Sequence, residues 1–131
     1  MRNAPRMGVY RFEDLRVWQA AKRQCDRVGE LIKRPQFKED KRLSDDLNGA
    51  SISVMNNISE GFVRRRDKEL LQHLRYAAAS NAEVLSSFHA AEGRGYLTKT
   101  EAVDLFAENN AIGKMLRRFR ESVERSSGSK D

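Results

Sequence analysis

The 131-residue chain has one cysteine, two prolines and no long apolar run, and each scarcity removes a class of protein. A lone Cys25 excludes an intrachain disulfide. No segment approaches the roughly 20 apolar residues that a membrane span needs, so no membrane association is expected. The basic start Met1-Arg2-Asn3-Ala4-Pro5-Arg6 lacks a following apolar segment, so no signal peptide is expected and a reducing cytoplasm is the expected location. Pro5 and Pro35 lie outside the periodic stretches, and no stretch alternates apolar with polar residues as a half-buried strand would. Catalytic groupings are equally scarce. His73 and His89 are 16 residues apart without cysteine or a second histidine at ligand spacing. Gly113-Lys114 lacks the remainder of a phosphate-binding loop, and Glu60, Glu69 and Glu83 lack the paired Glu-x-x-His motifs of di-iron bundles. Neither an enzyme nor a metal or cofactor site is expected.

What the chain has in excess is arginine. Its formal charge is +6, with 17 Arg and 8 Lys, and its pI is about 9.8. The planar guanidinium fork matches phosphate oxygens better than an ammonium does. Arg16, Arg23, Arg27 and Arg34 are spaced 7, 4 and 7 residues apart, which at roughly 100° per residue puts them within about 20° of one line on a helix. Trp18, Ala21, Cys25, Val28 and Ile32 fall on the opposite side, the expected core face. A second basic group, Arg64-Arg65-Arg66, lies just ahead of a helix start whose free amides and dipole favour an anion, with Lys68 just inside that helix. Lys114, Arg118 and Arg125 project away from the apolar side of the last helix. A polyanion is therefore the first partner to consider.

Periodicity predicts four helices. The first runs from about Glu13 to Lys33 and is stopped by Pro35, with Gln36 to Asp40 as a connection. The second spans about Lys41 to Glu60, with Gly61 as its stop. The third opens at Asp67 as N-cap and reaches about Glu92, and the fourth starts at the capping box Thr98-Lys99-Thr100-Glu101. Short loops between long helices predict an all-α, antiparallel up-down-up-down four-helix bundle over residues 12–125, between a basic flexible arm (1–11) and a disordered tail (126–131). The second helix is apolar or small around most of its circumference, and the third carries Tyr76, Ala77, Ala78 and Ala79, so self-association is expected.

Several segments carry a family resemblance: Phe12 to Ala21 (FEDLRVWQAA), Ser53 to Phe62 with Asn57-Ile58-Ser59-Glu60-Gly61-Phe62, Arg64-Arg65 followed by Lys68-Glu69, the Ala77, Ser80, Glu83 spacing, and Gly95-Tyr96-Leu97. Together they resemble the four-helix proteins encoded in intervening sequences of bacterial 23S rRNA genes, over about residues 12 to 120. That family is similar in fold to the accessory variability protein of diversity-generating retroelements. The resemblance implies a ring-like homopentamer without enzymatic activity and, for the retroelement branch, binding to RNA or DNA and to a reverse transcriptase. At Met55 the family commonly has proline, and at His73 an aromatic. On the shared positions, Phe12, Leu15 and Trp18 are expected to seal one bundle end and Asn57, Ser80 and Glu83 to form a polar cluster. Taken with the basic residues, the resemblance implies an accessory protein, associated with 23S rRNA intervening sequences or a retroelement reverse transcriptase, that binds structured RNA or RNA-DNA hybrid through Arg16, Arg23, Arg27, Arg34, Arg64, Arg65, Arg66, Lys68, Lys114 and Arg118. The alternative is an oligomeric scaffold that docks proteins.

Overall fold

The computed structural model describes residues 5–64 and 66–128. Among them, a 3-10 turn (Phe12–Asp14) is followed by α1 (Arg16–Leu31), α2 (Pro35–Glu39), α3 (Lys41–Phe62), α4 (Asp67–Gly93) and α5 (Lys99–Gly128), with no β-strand. The four long helices enclose one core. In it α1 packs on α3, α3 most extensively on α4, α4 on α5, and α5 back on α1.

Two elements differ from the sequence reading. The segment expected to be a connection contains the one-turn α2, whose Phe37 is fully buried and packs on Tyr96 with ring centroids 5.3 Å apart. Pro35 both ends the run of α1 and occupies the first turn of α2, where its missing N–H is harmless. Gly61 does not stop α3, which continues to Phe62. It is buried instead, because a Cβ there would lie 2.9 Å from His73 Cβ and 3.0 Å from Leu70 Cδ1. Glycine at this position lets α3 and α4 approach closely. α3 is also continuous through Met55.

The helix ends have specific closures. Asp40 caps α3 by accepting from Leu43 N–H at 3.4 Å, while its other oxygen accepts from Arg94 Nη1 and from the Tyr96 hydroxyl, each at 2.9 Å. α4 starts one residue after Arg66, so Asp67 is its first residue and not its cap. It ends in a Schellman motif, with Gly95 at φ +78° and Tyr96 N–H donating to Ala91 O at 3.0 Å. The capping box forms as expected: Glu101 N–H donates to Thr98 Oγ1 at 3.1 Å, and Thr98 N–H donates to Glu101 Oε1 at 3.0 Å. α5 extends through Gly128, past the expected start of the tail.

At mid-height the core is polar. Gln24, Asn81 and Asn109 are buried on α1, α4 and α5. Gln24 Nε2 donates to Asn81 Oδ1 at 3.2 Å, and Asn109 Nδ2 donates to Gln24 Oε1 at 2.9 Å. Asn81 Nδ2 donates to the Asn109 backbone carbonyl at 3.1 Å, and Asn109 Nδ2 to that of Asn81 at 3.0 Å. No buried side-chain polar atom lacks a partner among the described residues. Apolar periodicity leaves Gln24 and Asn81 unmarked, so the triad is not visible in the sequence.

These contacts set the expected effects of three substitutions. Gly61→Ala is expected to destabilise by about 1 kcal/mol, since overpacking against the fixed His73 Cβ outweighs the helix-propensity gain. Gly49→Ala, in the same helix with nothing within 4 Å of the added Cβ, should stabilise by about 0.5–1 kcal/mol; urea unfolding of the pair measures the opposite signs. Asn109→Ala is expected to cost about 2–3 kcal/mol in the same assay, because it strands amide groups of Gln24 and Asn81.

Candidate nucleic-acid interface

The arginine line of the first helix lies on a flank of that helix. Val17, Ala20, Ala21, Gln24, Val28 and Leu31 are the buried residues of α1, and by helical geometry their centre falls about 90° from the arginines. Trp18, Cys25 and Ile32, expected at the core centre, are only partly buried. The flank turns two of the four arginines toward α5. Arg27 Nη1 is 2.9 Å from Glu108 Oε1. Arg34 lies beyond the end of α1, as the N-cap of α2, and its guanidinium grips both oxygens of Glu101, with Nη1 to Oε1 at 3.1 Å. Arg16 and Arg23 are exposed and make no ion pair among the described residues.

Contacts between segments show which charges share an end. Arg6 reaches Asp67 Oδ1 at 3.1 Å and the Arg64 carbonyl at 3.2 Å, which places Arg6 beside the α3–α4 turn. Met7, Val9, Leu15, Arg16, Met115 and Arg118 line one cavity of about 290 Å³, which joins the Met7–Val9 segment and the start of α1 to the second half of α5. Phe12 packs edge-on against Trp18 at 5.2 Å, and Leu15 is buried beside this end. At the opposite end Arg34 meets Glu101, Arg94 meets Asp40, and Phe37 meets Tyr96.

Divided at the amide triad, the two halves differ sharply in charge. Residues 5–23, 52–64, 66–80 and 110–128 contain 14 Lys and Arg against 7 Asp and Glu, a formal +7. Residues 24–51 and 81–109 contain 8 against 11, a formal −3. Pairing sharpens the contrast. In the basic half Arg16, Arg23, Arg64, Arg66, Lys68, Arg75, Lys114, Arg117, Arg118 and Arg125 make no ion pair among the described residues. In the other half that is true of Lys38 and Lys99 alone.

Of the sequence-predicted residues, Arg16, Arg23, Arg64, Arg66, Lys68, Lys114 and Arg118 thus share one half of the molecule and are exposed. Arg27 and Arg34 are engaged with α5, Arg34 at the opposite end, and Arg65 lies outside the described residues. Arg75 and Arg117 were missed as members of the group. The first turn of α4 carries the acidic residues Asp67 and Glu69, whose charge already answers the helix dipole. Their charge lowers the appeal of that terminus to a phosphate.

The other polar candidates have structural partners. His73 Nδ1 is 3.0 Å from Asn57 Oδ1, Asn57 Nδ2 donates to Ser53, and Ser53 Oγ is 2.8 Å from Ser80 Oγ, a ladder between α3 and α4. Glu83 is exposed and outside this ladder. His89 stacks on Phe106 at 4.2 Å, and the Cys25 thiol accepts from Ser51 Oγ at 3.6 Å. No group of three His, Cys, Asp or Glu could hold a metal ion among the described residues, and no helix there is long and apolar enough to cross a membrane.

Hydrogen bonds from Arg34 and from Thr98 hold the Glu101 carboxyl at a pKa of about 2, well below its ordinary 4.5. A depressed carboxylate stabilises the fold above pH 4.5 and loses that contribution as the pH falls toward 2. Glu101→Gln, which retains a capping-box side chain, is expected to cost about 1–2 kcal/mol at pH 7 after allowance for partial exposure. Its deficit relative to the parent should shrink as the pH falls below 4.5 and through about 2 in unfolding experiments across that range.

Comparison with known proteins supplies a family. The profile of the 23S rRNA-intervening sequence protein family matches residues 13–118. Comparisons with curated proteins and with solved structures gave no significant match. The profile covers most of the chain and every long helix in whole or large part, in agreement with the motifs from Phe12 to Leu97. The chain belongs to the 23S rRNA-intervening sequence protein family.

Proposed function

We propose that this protein is a non-enzymatic accessory that binds structured RNA, or RNA-DNA hybrid, through phosphate contacts from its basic half. The observation that carries this reading is the segregation of charge: ten exposed or partly exposed cations without ion-pair partners lie on one side of the amide triad. Unpaired guanidinium groups need no salt bridge broken before they meet phosphate. Backbone contacts position without reading bases, so binding is weakly sequence-specific. The bound nucleic acid belongs to ribosomal RNA or to a retroelement whose reverse transcriptase is a second partner, in the cytoplasm.

The helices form an antiparallel up-down-up-down bundle that assembles with copies of itself, as a ring-like homopentamer. Support comes from the outer surface of α3 and α4. Tyr76 is 50% exposed and Ile52 39% exposed, and α4 carries no charge from Tyr76 through Ala82. The same surface favours a second reading, an oligomeric scaffold that docks proteins without direct nucleic-acid binding.

A salt series with structured RNA, a DNA duplex and an RNA-DNA hybrid, with mass measured by light scattering in the same buffers, tests both readings. Changing Arg64, Arg66 and Lys68 to Glu is expected to weaken binding about tenfold or more at low salt. It should also flatten the dependence of log K on log salt by about one per phosphate contact removed. Changing Lys33, Lys38 and Lys41 in the opposite half should leave both unchanged. Absence of binding to all three nucleic acids at low salt would leave the scaffold.

A further inference from the structure

The cavity at the basic end has chemistry unlike a plain phosphate site. Its lining includes the apolar Met7, Val9 and Met115 together with the charged residues Asp14, Arg16 and Arg118. Neither arginine makes an ion pair, and the Asp14 side chain makes no hydrogen bond or ion pair, among the described residues. A carboxylate repels a phosphate seated beside it, whereas apolar walls welcome a flat ring. The group that matches all three features is planar, largely apolar on its faces, and has N–H donors on one edge. An unpaired nucleobase has these properties. At about 290 Å³ the space suits a single ring system and lies at the small end of ligand clefts.

A strained turn holds one wall in place. Arg6 and Val9 exchange backbone hydrogen bonds at 2.9 Å in both directions, and the two residues between them, Met7 and Gly8, have φ of +52° and +77°. These are the φ signs of a type I′ turn, which Met adopts only at a cost in energy. Met7 is 54% exposed at the lip of the cavity. A methionine held in this conformation with half its surface in water presents a polarizable side chain to an incoming ring.

We infer that the cavity between the N-terminal turn, α1 and α5 receives a base extruded from the bound RNA. Asp14 accepts from the amino edge of that base, and Arg16 and Arg118 hold its flanking phosphates. This inference rests on the RNA-binding reading and adds to it a preference for bulged or looped RNA over a continuous duplex.

The test compares three RNA hairpins of equal length and charge: one with a single guanine bulge, one with an abasic residue at the bulge, and one without a bulge. The full chain is expected to bind the guanine bulge about tenfold tighter than the other two, the scale of one inserted base. Met115→Trp, which fills the cavity, should erase the preference while leaving affinity for the uninterrupted hairpin unchanged. Equal affinity of the unaltered protein for all three hairpins overturns the inference and leaves the RNA-binding reading standing. Binding to none of them overturns both. The comparison among RNAs needs no protein variant, so misfolding of Met115→Trp cannot obscure it.

Discussion

The amide triad at the middle of the core governs how the rest of the molecule is assembled. Gln24, Asn81 and Asn109 meet edge to edge in a space that hydrophobic residues would fill without directional preference. Sliding α1, α4 or α5 by one turn would bury unpaired amides, each costing about 1–3 kcal/mol. A helix of Leu and Val alone tolerates such a slip far better. The triad therefore sets axial register, and register decides which charges end up beside one another. Arg34 faces Glu101 and Arg27 faces Glu108 because α1 and α5 are locked at this height.

The same register gives the two ends different roles. One is tied together by interlocking polar contacts. Asp40 joins the cap of α3 to Arg94 and Tyr96, and raises the pKa of the Tyr96 hydroxyl by accepting its proton in a hydrogen bond. Glu101 serves the capping box of α5 and the guanidinium of Arg34 at once. In the other half ten of the 14 cations make no ion pair among the described residues, and apolar contacts such as Phe12 on Trp18 help to close that end. Stability from ion pairs and availability of cations are thus separated along the bundle.

Much of this fold was legible in the residues. The long helices were visible in their 3.6-residue periodicity, and the Thr98-Glu101 box marked a helix start correctly because its geometry is local. What escaped was non-local. α2 is a single turn with one buried side chain, Phe37, too short to show a period. Gly61 resembles a helix stop unless the approach of His73 from another helix is known. Gln24 and Asn81 are polar residues in the core, so periodicity of apolar residues assigned the core face of α1 too far toward Trp18 and Cys25. That error turned a flank into an outer face and made Arg27 and Arg34 look free. The exposed cluster of Arg64, Arg66 and Lys68 was readable directly, whereas its company with Arg16, Arg118 and Arg117 depends on which helix ends meet in space.

A formal +7 over one half and −3 over the other give the molecule a large permanent dipole along its helices. In the field of a polyanion such a body feels a torque as well as a net attraction, and the torque acts at distances comparable to the Debye length, roughly 8–10 Å in physiological salt. It therefore turns before it touches. An encounter that begins with the wrong end forward is corrected during the approach, so a larger fraction of collisions is productive and capture becomes faster without any added contact in the final complex.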